Sequence, residues 1–188
     1  MSQRSRTVRR LAVTLAGGAV LGVTTLAAPA SAAPGCSTAW GSLPESAGGT
    51  GAGTVDEIRT GRHACFDRLV VDIDGANGSA VGYGVDYVPQ FREDGTGDAV
   101  PLRGAADLQI VVARPAHAGG TATYDPVDDA EAEDVSGYRT FRQVAWGQSF
   151  EGQSTIGLGV RARLPYRVSL LAGPGDDARL VVDVAHSW

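Results

Sequence analysis

Apolar and polar residues alternate with a period of two along much of the chain, the mark of strands that bury one face. The pattern is sharpest at Asp67-Arg68-Leu69-Val70-Val71-Asp72-Ile73. A near copy returns at Ala178-Arg179-Leu180-Val181-Val182-Asp183-Val184. Leu69, Val71 and Ile73 share one face of the first copy, and Leu180, Val182 and Val184 share one face of the second. These aliphatic faces are expected to bury. The opposite faces carry Arg68 with Asp72 and Arg179 with Asp183, each pair flanking a valine.

The same period predicts further strands at 55–59, 80–88, 108–113, 138–146, 154–163 and 166–171. Gly75-Ala76-Asn77-Gly78-Ser79 reads as a turn, so a hairpin is expected between the strands 67–74 and 80–88. Residues 92–98 form a polar turn without the spacing of an EF-hand. Residues 114–137 carry Pro115, Gly119, Gly120, Pro126 and an acidic run over 125–134, and read as a solvated loop. A cation held by those carboxylates would need convergence that spacing alone does not establish. With no amphipathic helical pattern, the fold class expected is all-β: a β-sandwich of about eight short strands.

The first 32 residues change the picture of where the protein works. Arg4, Arg6, Arg9 and Arg10 precede an uncharged run from Leu11 to Ala28, and Ala30 and Ala32 offer a cleavage site. This reads as a secretory signal peptide over 1–32. It is preferred to a membrane anchor, which needs a longer run, and to a twin-arginine signal at Arg9-Arg10. A lipid-bearing Cys36 is disfavoured because Ala33-Pro34-Gly35 lacks the expected leucine. No later run is long enough to span a bilayer, so no membrane span is expected after cleavage. Residues 33–54, rich in Gly, Ser, Thr and Ala, read as a flexible arm ahead of a domain over 55–188.

Charge narrows the partners. All 16 basic residues are Arg, against 21 acids and a net charge of −5. Removing the leader takes four Arg and no acid, which leaves −9. An acidic exported domain is a poor partner for nucleic acid or an anionic membrane. Its two cysteines, Cys36 and Cys65, favour a disulfide that ties the arm to the first copied strand. Such a bridge would contribute about 3.5 kcal/mol by loop closure. A reactive or metal-binding Cys65 beside His63 is the competing reading.

No Gly-x-Ser-x-Gly elbow, zinc-protease His pair or P-loop is present in the sequence. No catalytic residue, cofactor or metal is therefore expected. Glu151, between Phe150 and Gly152, is the one acid that stands out. It is expected to pair with Arg161, Arg68 or another Arg, or else to touch a ligand. The outward arginines have two readings as well. They form ion pairs with neighbouring strands, or they present a guanidinium face to carboxylates. Arg68, Glu151, Arg161 and Arg179 are the candidate ligand-binding residues.

The segment Ile58-Arg59-Thr60-Gly61-Arg62-His63-Ala64-Cys65-Phe66-Asp67-Arg68-Leu69-Val70-Val71-Asp72 resembles the opening of the AMIN-like domain of exported proteins of high-GC Gram-positive bacteria. Gly104–Leu108, Phe150–Arg161, Pro165–Val168 and Arg179–Val184 fit in order. The resemblance implies a β-sandwich. The more distantly similar AMIN domains are non-catalytic modules that bring cell-wall amidases and secretin-type proteins to cell-wall material. No amidase domain follows the match here, so a module standing alone is expected. The function that follows is a secreted, non-catalytic module for peptidoglycan, another envelope polymer or an envelope protein. An exported hydrolase acting through Glu151 and a structural interaction module are the alternatives.

Overall fold

Two antiparallel sheets enclose one apolar core, and the period-two pattern explains which residues enter it. The computed structural model describes residues 36, 39–76 and 80–188. The expected leader lies outside the described residues. In chain order the strands are β1 (Glu45–Ala47), β2 (Thr54–Arg62), β3 (Phe66–Asp74), β4 (Tyr83–Val88), β5 (Ala106–Val112), β6 (His117–Ala118), β7 (Thr121–Ala122), β8 (Phe141–Phe150), β9 (Gln153–Val160), β10 (Tyr166–Ala172) and β11 (Ala178–Ala185). One sheet has the order β10-β11-β3-β2 and the other β1-β4-β5-β9-β8. β6 and β7 form a small hairpin. The architecture is the expected all-β sandwich.

The core lies between the sheets. Leu69, Val71, Ile73, Leu180, Val182 and Val184 enter it from the first sheet, and Val85, Leu108, Ile110, Ile156 and Leu158 from the second. The six inward-facing aliphatic side chains of the two copied strands are fully buried. Each contributes roughly 1.5–3 kcal/mol relative to an exposed position. Two tyrosines bring hydroxyls into this layer and satisfy them on backbone. Tyr87 donates to the Leu164 carbonyl at 2.8 Å and accepts the Leu164 N–H at 3.0 Å. The Tyr166 hydroxyl reaches the carbonyls of Leu43 and Val85 at 2.6 and 2.8 Å.

Three expectations need correction. β3 and β4 do not form a hairpin: β3 pairs with β2 and β11, and β4 with β1 and β5. Eight residues, 75–82, separate them, enough to cross the roughly 10 Å between sheets. The stretch read as an irregular arm supplies an edge strand, β1, registered against β4 from Glu45↔Val85 to Ala47↔Tyr83. Its three residues between Pro44 and Gly48 are too few to show a period. The loop 114–137 contains the β6–β7 hairpin and a short 3-10 turn, Asp129–Glu131, capped by the Asp128 side chain.

A loop closes over the outside of the five-stranded sheet. Phe91, fully buried, lies across Gly147 of β8 and Gly157 of β9. A Cβ at either glycine would sit 2.5 Å from the ring. The two glycines therefore make the recess that the ring fills, a close approach only Gly permits.

Candidate functional site

The duplicated strands build the most organised surface of the molecule. β3 and β11 are antiparallel neighbours with the register Arg68↔Asp183, Val70↔Val181 and Asp72↔Arg179. Each strand carries Arg first and Asp four residues later. Laid antiparallel, the arginine of one meets the aspartate of the other twice. The partners foreseen in sequence are found, across strands and reciprocally.

Arg68 donates from Nε and Nη2 to Asp183 at 2.6 and 2.9 Å. Arg167 of β10 donates to the same carboxylate at 2.9 Å. On the other row Arg59 of β2 donates to Asp72 at 2.5 and 2.8 Å, and Arg179 stands 3.7 Å from it. Each aspartate is thus held between two arginines. Donating hydrogen bonds to Asp72 and Asp183 holds the pKa values of the Arg59 and Arg68 guanidiniums above their ordinary range. Asp183 is only 1% exposed, so it is the inner anchor of the lattice.

Between the two rows runs a trough of about 270 Å³. Val70 and Val181 form its floor, and Arg59, His63, Arg68, Leu171 and Arg179 line it. Those valines lie on the outer face yet are 7% and 4% exposed, because the long arginine stems cover them. Beyond Arg68 the surface turns aromatic. Phe66 stacks on His63 with centroids 4.4 Å apart and meets Trp40 edge-on at 5.7 Å. The Arg167 guanidinium lies 4.3 Å from the Trp40 ring centre. Trp40 thus docks the leading segment onto the sheet, beside the disulfide Cys36–Cys65, whose Cα atoms are 5.2 Å apart. The disulfide expected from the sequence is present.

Arg68 and Arg179 therefore share one surface. Glu151 and Arg161 do not join them, and Glu151 forms no ion pair with an arginine among the described residues. Glu151 and Arg161 lie beyond opposite ends of β9, a strand of eight residues and so about 25 Å long. Arg68 is on the other sheet and engaged by Asp183. Glu151 instead makes a turn. It has φ 48° and Gly152 φ 83°, in a two-residue loop closing the Phe150↔Gln153 pair. Both residues at positive φ define a type I′ hairpin.

Residues 53–186 match the model of the AMIN-like domain. The chain belongs to the AMIN-like domain family. No match was found among curated proteins or among solved structures. All four lattice arginines of this AMIN-like domain fall inside the matched span, whereas Trp40 and Cys36 precede it.

Several carboxylates of the acidic run have structural uses. Glu131 pairs with Arg103, which holds its carboxyl below the usual range. Asp129 accepts from Gln148 at 2.7 Å, and Asp134 caps the Ser136 N–H at 2.8 Å. Burial pushes Glu133 upward, as does the charge of Glu57. Among the described residues no group of three or more His, Cys, Asp or Glu is placed to hold a metal ion.

Sequence reasoning missed Asp67. It is fully buried and accepts the N–H groups of Thr140 and Phe141 at 2.6 and 3.2 Å, with His186 Nε2 at 3.0 Å. The signal was available: Asp67 is in phase with Leu69, Val71 and Ile73, so it had to face inward.

Proposed function

We propose that this AMIN-like domain is an exported, non-catalytic module of the cell envelope, and that its arginine-walled trough meets a cell-wall polymer such as peptidoglycan. One observation carries the reading. Among the described residues Arg179 makes no hydrogen bond through Nε and stands 3.7 Å from Asp72, while Asp72 already accepts two bonds from Arg59. Arg179 is the one lattice arginine, among the described residues, that donates no side-chain hydrogen bond, so its partly exposed guanidinium is the one left to meet an incoming carboxylate. Leu171, exposed and part of the lining, gives that ligand an apolar contact, and a forked guanidinium suits a planar two-oxygen acceptor. Membership of the family supports an envelope setting, and the disulfide suits an oxidising compartment.

Sedimentation with purified peptidoglycan tests the reading. The wild-type protein is expected in the pellet, Arg179→Ala in the supernatant, and Glu151→Gln in the pellet. Wild-type retention no greater than that of an unrelated acidic exported protein overturns it. Release of wall fragments by wild type but not by Glu151→Gln would replace it with a hydrolase.

A further inference from the structure

A second cleft, of about 450 Å³, is lined by Cys36, Arg139, Arg161, His186 and Ser187. Three stretches converge there: the turn before β8, the residue after β9 and the residue after β11. Backbone bonds hold them together. Arg161 N–H donates to the Thr140 carbonyl at 3.0 Å, and His186 N–H to the Cys65 carbonyl at 2.9 Å. The disulfide thus sits against the tail that carries His186. The His186 side chain is 9% exposed and is fixed from behind by the buried Asp67. Its Nδ1 has no partner among the described residues.

The charge balance here differs from that of the trough. In the trough each arginine faces an aspartate. None of the five cleft residues is an acid. Among the described residues the Arg161 guanidinium donates only to the His186 carbonyl. Arg139 has neither an ion pair nor a side-chain hydrogen bond among the described residues. Two guanidiniums without a counter-charge line one cavity on a chain of net charge −5. Like charges gathered in this way raise the local potential and favour an anion.

We propose that this cleft binds the phosphate group of a small phosphomonoester. Donors from three separate stretches suit a tetrahedral group with three terminal oxygens better than a planar carboxylate. The cavity falls within the roughly 300–1,000 Å³ of small-ligand sites, so an attached alcohol also fits. A long polyanion is disfavoured, because the remaining surface repels it. The site is separate from the trough, and trough variants leave it intact.

Titration calorimetry of the full-length exported protein with inorganic phosphate, glycerol phosphate and acetate tests the proposal. Phosphate and glycerol phosphate are expected to bind at least ten-fold tighter than acetate. Arg139→Ala, whose side chain supports nothing else described, is expected to weaken both by roughly ten-fold or more. Arg139→Lys should recover part of the loss, and Arg179→Ala should leave phosphate binding unchanged. Sedimentation with vesicles containing phosphatidic acid, a lipid phosphomonoester, that depends on Arg139 would assign the phosphate to a lipid headgroup; none would assign it to a soluble ester. Equal affinity for acetate, or phosphate binding unchanged in an Arg139→Ala protein with a wild-type melting curve, overturns the proposal.

Discussion

Replacing Asp183 by Asn probes the inner anchor of the arginine lattice. The carboxylate is 1% exposed and accepts from Arg68 at 2.6 and 2.9 Å and from Arg167 at 2.9 Å. Asn keeps one acceptor oxygen but turns an NH₂ donor toward two guanidiniums. Charge-assisted bonds are worth about 1.5–3 kcal/mol each. The arginine side chains, however, are 30% and 44% exposed, so water takes up part of what is lost. The net expected cost is about 2 kcal/mol. Asp72→Asn provides the comparison. Asp72 is 17% exposed and its closest partner, Arg59, is 44% exposed, so a cost of about 1 kcal/mol is expected. Urea unfolding of both variants measures the difference, with the m-value unchanged. A double-mutant cycle of Arg68→Met with Asp183→Asn should show favourable coupling. A cost for Asp183→Asn below about 0.5 kcal/mol, or below that of Asp72→Asn, would refute the view that burial grades these pairs.

Three other outcomes are expected. Glu151→Asn, which tolerates the left-handed turn better, should raise stability by about 0.5 kcal/mol in urea unfolding; a loss would contradict the type I′ assignment. The paired Cys36→Ser, Cys65→Ser variant should lose about 3.5 kcal/mol, measured against the oxidised protein, with Trp40 fluorescence reporting whether the leading segment still docks. Burial, the first cause in each case, raises the phenol pKa values of Tyr87, Tyr124 and Tyr166. Their folded pKa values lie above the unfolded value of about 10, so their contribution is intact below that pH and is lost as pH rises beyond it. An ultraviolet titration should therefore find these three phenols silent until the chain unfolds.

The parts of the fold legible in the sequence are those where one physical rule acts alone. Leu69, Val71 and Ile73 alternate with polar neighbours over a full strand, and period two places them in the core. The arginine–aspartate lattice was legible in kind, since Arg and Asp at fixed offsets on two copies invite cross-strand pairing. Its reciprocity was not, because adjacency of β3 and β11 is a matter of topology. Glu151 lacks the expected arginine partner among the described residues for a related reason. Its chemistry suggested a partner, while its place before Gly152 in a two-residue loop reflects backbone geometry. The Phe91 recess combines Gly147 and Gly157 from two strands with a ring from a third segment, and only the assembled sheet brings them together. The cleft at Arg139 and Arg161 arises in the same way, from turns distant in sequence.

The repeated charge order has a consequence for how the chain finds its fold. The aliphatic rows of β3 and β11 are almost interchangeable along their length, so grease alone would tolerate a slip of two residues, which keeps every side chain on its own face. Such a slip would oppose Asp72 to Asp177 and leave Arg68 facing Val181. A slip the other way would put Val70 against Asp183. Only one alignment matches both charges, so the motif acts as a proofreading key for strands that hydrophobic packing cannot tell apart.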